Sequence, residues 1–158
     1  MQPWRTSIKT WKEMKWKLLS LAFCTFMFSG LQAQEVAGLW QSIDDRTGEP
    51  KALVKVFTEG GKLYGTIQKI LVQGKEDARC TACKGEKKDQ PIVGMDIIGG
   101  IEKTGPLEWQ GDDLFDPEQG SSFRCRIWLD PDQPDILYVR GFLAFFYRTQ
   151  TWKRVLGD

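Results

Sequence analysis

From residue 39 onward, apolar and polar residues alternate in short runs broken by turn residues, which is the two-residue period of a β-strand. Over 52–57, Ala52, Val54 and Val56 alternate with Leu53, Lys55 and Phe57. Glu59-Gly60-Gly61-Lys62 then turns the chain into a second run over 63–70. A Gly-Gly pair between alternating runs signals a hairpin, because its tight turns need φ > 0. A strand over 39–43 precedes this hairpin and is closed by turn residues 44–50. Later, Phe123, Cys125, Ile127 and Leu129 share one face of a strand, with Arg124, Arg126 and Trp128 on the other. The turn 130–135 leads into a strand over 136–143, and 147–155 supplies the last. Weaker strand signals lie at 95–101, 107–109 and 114–115. Short strands at this spacing predict an all-β antiparallel meander, closed as a barrel or stacked as a sandwich. The segment 73–90 breaks the pattern: it is polar, charged and without a period, and it holds Cys80 and Cys83. It reads as an excursion from the barrel rim with room for a helical turn, and loops of this length are usually functional or mobile.

The front of the chain follows a different rule. Arg5, Lys9, Lys12, Lys15 and Lys17 face a single acid, Glu13, and precede an uncharged run over 18–28. A basic start, a short apolar run and a small residue at a cleavage point define a secretory signal peptide, here over 1–33 with cleavage after Ala33. The run falls short of the roughly 20 apolar residues that a spanning helix needs, and Cys24 lies inside it instead of at a lipidation point. Removal of 1–33 takes five of 22 basic and one of 21 acidic residues, so the net charge moves from +1 to −3. The basic footprint expected of a nucleic-acid binder leaves with it. The expectation is an exported protein, periplasmic or secreted, with a single domain over 34–158 and no integral membrane segment in the mature chain.

The chain has no histidine. That removes the commonest general base and the commonest metal ligand and shifts the expectation away from catalysis. Cys80-Thr81-Ala82-Cys83 invites a disulfide in an oxidising compartment, whereas redox catalysis would want a βαβ context. With three cysteines left after 1–33, either Cys80 bridges Cys83 and Cys125 stays free, or Cys125 pairs with one of the loop cysteines. Asp112, Asp113, Asp116 and Glu118 surround Pro117 and Gly120, which reads as a solvated turn before it reads as a cation site. Arg140 lies between Tyr138 and Phe142, and would hold a ligand carboxylate or phosphate if its strand turned it inward. The predicted ligand-binding residues are Trp40, Arg140, Tyr147 and Trp152. No catalytic set, metal or cofactor is predicted.

The ordered series Gly38-Leu39-Trp40, Leu63-Tyr64-Gly65-Thr66-Ile67, Cys80-x-x-Cys83, Gln90-Pro91-Ile92-Val93-Gly94-Met95 and Trp109-Gln110-Gly111 resembles the DUF2147 family of exported bacterial proteins of unknown function. The likeness continues through Phe115-Asp116-Pro117-Glu118-Gln119-Gly120, Phe123-Arg124-Cys125, Val139-Arg140-Gly141 and residues 148–154. Ser121 and Phe123 depart from the lysine and tyrosine expected there, and two aspartates before Phe115 replace a glycine, so the polar groups of that turn do not carry over. A looser likeness is to the lipocalins, whose barrels open on Gly-x-Trp and lay a late arginine over the ring. It implies an up-and-down barrel of about eight strands, closed by Gly38 and Trp40 against Arg148 or Arg154, the cation over the indole contributing about 0.5–2 kcal/mol.

The leading functional expectation is a monomeric binding module for a small apolar or amphipathic molecule. The alternative is an envelope interaction protein with a packed barrel, acting through its Cys80/Cys83 loop. A redox or carboxylate enzyme ranks below both. The interior of the barrel decides between the first two, since eight strands leave room either for packed side chains or for one small ligand.

Overall fold

Eight strands follow one another around a closed antiparallel barrel: β1 (Gly38–Ile43), β2 (Pro50–Glu59), β3 (Lys62–Ile70), β4 (Asp96–Gly105), β5 (Glu108–Asp116), β6 (Ser121–Leu129), β7 (Ile136–Leu143) and β8 (Phe146–Arg154). Each strand pairs with the next, and β8 returns to pair with β1. This is a computed structural model in which residues 35–156 are described. The predicted signal peptide, 1–33, lies outside the described residues.

The period-two alternation is the inside and outside of this wall. Val54 and Val56 of β2, Cys125, Ile127 and Leu129 of β6, and Leu137 and Val139 of β7 all point inward and are buried. Lys55, Arg124 and Arg126 take the opposite parity. The Gly60-Gly61 hairpin joins β2 to β3 with both glycines at positive φ, as the turn demands.

One expected feature differs. The separate weak strands at 107–109 and 114–115 are a single bent strand, β5. Gly111-Asp112-Asp113 reads as turn chemistry, but it forms a bulge where the register against β6 shifts between Gly111 and Leu114. Ser122 Oγ donates to Asp113 at 2.8 Å across the irregularity. A Cβ at Gly111 would sit 2.6 Å from Ile101 Cγ2, so only glycine lets β4 pass this closely.

One end of the barrel is sealed. Trp40 of β1 is fully buried, and its Nε1 donates to the carbonyl of Val36 at 2.9 Å. The guanidinium of Arg154 lies 4.3 Å from the centre of the indole. The same group donates to the carbonyls of Glu35 (2.6 Å), Ala37 (3.1 Å) and Pro134 (3.3 Å) and meets Asp135 at 3.1 Å. Trp109, Leu129 and Leu137 fill the interior above this plug.

The long connection 71–95 lies at the other end and is ordered by its own hydrogen bonds. A bridge pairs Arg79 with Pro91, and the Cys80 N–H donates to Gln90 O at 2.9 Å. A 3₁₀ turn over Gly85–Lys87 is its one helical element. Cys80 and Cys83 form a disulfide, and both are buried. Beneath it runs the β5–β6 turn, where the Cys80 sulfur lies 3.1 Å from the carbonyl of Pro117. Gly120 has φ +62 and no room for a side chain: a Cβ there would meet the Ala82 carbonyl oxygen at 2.4 Å.

Two expectations follow. Arg154→Ala removes the cation over Trp40 and three carbonyl partners, and destabilises the barrel by about 2–4 kcal/mol in urea unfolding. Arg154→Lys restores only part of this, because an ammonium cannot reproduce the planar fork. Gly120→Ala lifts the 71–95 segment from the β5–β6 turn. It costs about 1–3 kcal/mol, and it speeds reduction of Cys80–Cys83 by an added thiol; an unchanged rate of reduction contradicts this packing.

Candidate functional site

Beyond the plug the barrel interior opens into a cavity of about 400 Å³. Its lower wall is apolar: Val54, Ile67, Ile97, Leu114, Val139 and Trp152 face it. Strand parity explains the lining. Residues two apart on one strand share a face, so Trp152 of β8 brings Gln150 and Arg148 to the same side. Phe115 and Phe123 close the side next to the β5–β6 turn. The 71–95 connection adds Val72, Lys75, Ala78 and Ile92, so the disulfide-bearing segment is a wall of this cavity.

Polar groups inside are few and mostly satisfied. Ser42 accepts from the Ala52 N–H at 3.1 Å and donates to the Ala52 carbonyl at 3.3 Å. Trp152 Nε1 donates to the Gln150 carboxamide oxygen at 3.2 Å, which leaves the Gln150 NH2 without a protein acceptor among the described residues. At the rim, Arg148 makes a two-pronged pair with Asp45: Nε donates to Oδ2 at 2.7 Å and Nη2 to Oδ1. The Arg148 guanidinium holds the Asp45 carboxyl below the ordinary carboxylate range. Lys51 pairs with Glu118 at 2.9 Å. Lys75 meets no carboxylate within ion-pairing distance among the described residues.

The predicted ligand-binding residues divide. Trp152 lines the cavity wall, and Tyr147 stands at its mouth. Trp40 does not line it: the ring is sealed in the plug beneath Arg154. Arg140 is on the outer face, because its neighbours Val139 and Gly141 hold the inward parity and line the cavity. Its Nε donates to Thr149 Oγ1 at 2.8 Å, and its guanidinium lies over Tyr147 (4.3 Å) and Trp128 (5.1 Å). Of the two arginines that could close on Trp40, Arg154 does so, above Gly38. Arg148 is six residues earlier on β8 and reaches the opposite rim.

The bridge is Cys80–Cys83, and Cys125 is free and buried. Burial pushes the Cys125 thiol up to about 12, so it stays protonated and unreactive in the core. The acidic cluster does not converge. Asp113 turns to Ser122, Asp116 accepts from the Glu118 N–H and from Gln119 Nε2, and Glu118 reaches Lys51. Gln150, Phe115 and Phe123 are cavity residues that sequence reasoning passed over. Phe123 was legible from its shared parity with Cys125, whereas Gln150 needs the pairing of β8 to be known.

The barrel has a solved counterpart. A protein from Helicobacter pylori described as "Protein HP1028 from the human pathogen Helicobacter pylori belongs to the lipocalin family" superposes with a TM-score of 0.64 at 17% identity, covering 77% of this chain and 84% of that one. Identity this low speaks for a shared fold alone. No curated protein matches the sequence. A family model described as "Uncharacterized protein conserved in bacteria (DUF2147)" matches residues 38–154, which is the whole barrel from β1 to the end of β8. The chain belongs to the DUF2147 family.

Proposed function

We propose that the barrel is an exported binding module that takes the apolar body of a small amphipathic molecule into its interior and holds an acidic head at the rim. The cavity carries this reading. About 400 Å³ with apolar walls and a few polar groups is the size and character of a small-molecule site. Gln150 offers an NH2 donor inside and Lys75 a cation at the mouth, neither with a partner among the described residues. The 71–95 connection contributes side chains to the cavity wall, which favours a role in this site over a free docking loop. Absence of histidine, the buried disulfide and the protonated Cys125 all support binding in preference to catalysis. The basic and apolar leader, together with the disulfide, supports export to an oxidising compartment.

The test is titration with 1-anilinonaphthalene-8-sulfonate, an apolar fluorophore with one acidic group. The expected result is saturable one-site binding. A Cβ at Gly141 meets nothing closer than Leu114 Cδ2 at 3.5 Å, so a side chain can start there without a backbone clash, and Gly141→Leu would project into the cavity that Gly141 lines. It should weaken the fluorophore by at least about tenfold with the circular-dichroism spectrum unchanged. Lack of saturable binding, or wild-type affinity in Gly141→Leu, rejects the proposal. Acid should also act at the rim. Because the Asp45 carboxyl titrates below its unfolded value, the contribution of the Arg148 pair is complete above about pH 5 and disappears as pH falls through the lowered carboxyl value. Unfolding midpoints measured against pH should fall over that window in the wild type and show less of this fall in Asp45→Asn.

A further inference from the structure

The β7–β8 hairpin ends in Phe142-Leu143-Ala144-Phe145-Phe146-Tyr147, six residues without a charge. Leu143 is 61% exposed, Phe145 97%, Phe146 77% and Tyr147 63%, so this is large apolar surface left in water. The two-residue turn at Ala144 and Phe145 makes it a narrow projection. Strand parity puts Leu143 and Phe146 on the cavity side and Phe142 and Tyr147 on the outer side, with Phe145 at the apex. The tip is therefore apolar on both faces and at its end. A lid closing over the cavity would use only the inner face, and a protein docked on the outer wall only the outer one. The exposed tip side chains amount to about 500–600 Å² at most, short of the about 800 Å² that a stable dimer takes from each partner.

Behind the tip stand two arginines on the outer wall. Arg124 lies opposite Phe142 in the β6–β7 register, with its guanidinium 5.1 Å from that ring. Arg140 stacks on Tyr147 at 4.3 Å. Arg126, Arg148 and Arg154 each meet a carboxylate within 4 Å, at Glu108, Asp45 and Asp135. Neither Arg124 nor Arg140 does so among the described residues. At about 3.3 Å per residue, the Arg124 backbone sits about 10 Å behind the apex and that of Arg140 about 16 Å, with their guanidinium groups against the rings of Phe142 and Tyr147. Apolar elements that bind at a bilayer interface bury about 5–10 Å into it. Rings would then lie among acyl chains while the guanidinium groups stand at the level of the lipid phosphates.

We propose that the β7–β8 tip is a membrane anchor, inserting Leu143, Phe145, Phe146 and Tyr147 into the interface of an anionic bilayer while Arg124 and Arg140 meet its phosphates. The anchor uses the apex and both faces of the hairpin tip, Leu143 and Phe146 also standing at the cavity mouth, and does not depend on the cavity's having a ligand. Loss of one leaves the other measurable, since the fluorophore titration needs no vesicles and vesicle binding needs no fluorophore.

The full chain is mixed with vesicles of phosphatidylcholine containing one quarter phosphatidylglycerol. In Phe145→Trp, the fluorescence added at the tip should shift to the blue and be quenched by lipids brominated on the acyl chain. The chain already has seven tryptophans, at 4, 11, 16, 40, 109, 128 and 152, so the tip is read as the difference between Phe145→Trp and the wild type under the same conditions. Phe145→Ser with Phe146→Ser should weaken flotation with these vesicles by at least about tenfold. Arg124→Gln with Arg140→Gln should abolish the preference for anionic over pure phosphatidylcholine vesicles while leaving the unfolding midpoint near that of the wild type. Absence of quenching at Phe145→Trp overturns the anchor, and an anionic preference that survives loss of both arginines overturns their role. A wild-type dimer in sedimentation that Phe145→Ser with Phe146→Ser dissolves overturns it in favour of a contact between copies.

Discussion

The seam between β1 and β8 is the contact on which the remaining structure depends. β7 and β8 pair over eight positions, but β1 and β8 pair over only three: Trp40 with Arg154, Gln41 with Lys153, and Ser42 with Trp152. Three residue pairs make a short ladder and a weak closure, since each of its hydrogen bonds contributes only about 0.5–1.5 kcal/mol net. Arg154 compensates with a set of bonds that no strand ladder supplies, to carbonyls before β1 and before β7, and with the face of Trp40 beneath it. Gly38 belongs to the same device. Its φ of +147 and the 2.8 Å approach of Arg154 Nη1 to the place of a Cβ leave no other residue there without displacing the guanidinium.

That seam also sets the depth of the cavity. With Trp40 opposite Arg154, the next inward pair along the seam is Ser42 with Trp152, and the interior changes there from plug to opening. Below, Trp40, Trp109, Leu129 and Leu137 fill the barrel. Above, the inward positions become small at Ser42, Ala52, Val139 and Gly141, and volume is left over. Eight strands enclose just enough space for either outcome. This barrel is packed at one end and hollow at the other because side-chain size changes along its strands. The rim is then stiffened from two sides, by Arg148 reaching Asp45 and by the Cys80–Cys83 segment resting on Gly120.

Most of the fold was legible in the sequence because the barrel wall enforces alternation wherever one face is buried and the other wet. The strands around Val54, Ile127 and Val139 follow that rule closely. It failed where the wall bends: the bulge at Gly111-Asp112-Asp113 has turn composition without being a turn, so one strand reads as two. The closure at Gly38, Trp40 and Arg154 was legible through its family likeness, but the choice between Arg148 and Arg154 needed the register of β8. The site was less legible. Arg140 looks like a ligand-binding arginine among aromatics, and only the parity of β7 shows that its partners Trp128 and Tyr147 are on the outer wall. A cavity is a property of what residues leave unfilled, and alternation gives the face of a side chain but not the volume remaining between facing ones.

The hairpin of β7 and β8 ties these levels together. On one side of β7, Val139 and Gly141 shape the cavity; on the other, Arg140 and Phe142 continue a ladder of rings and guanidinium groups toward the tip. A strand two residues in period separates the two surfaces along the wall, and they meet only at the tip, where Phe142 and Tyr147 also border the cavity mouth. The ladder is costly to maintain as a purely structural feature. It leaves two arginines without carboxylate partners among the described residues and exposes three aromatic rings at its end, although the interior of the same domain is well enough packed to seal Trp40 completely. A barrel that seals Trp40 completely yet gathers Leu143, Phe145, Phe146 and Tyr147 in water on one hairpin at the mouth of its cavity has the apolar tip and flanking cations that the proposed anchor requires.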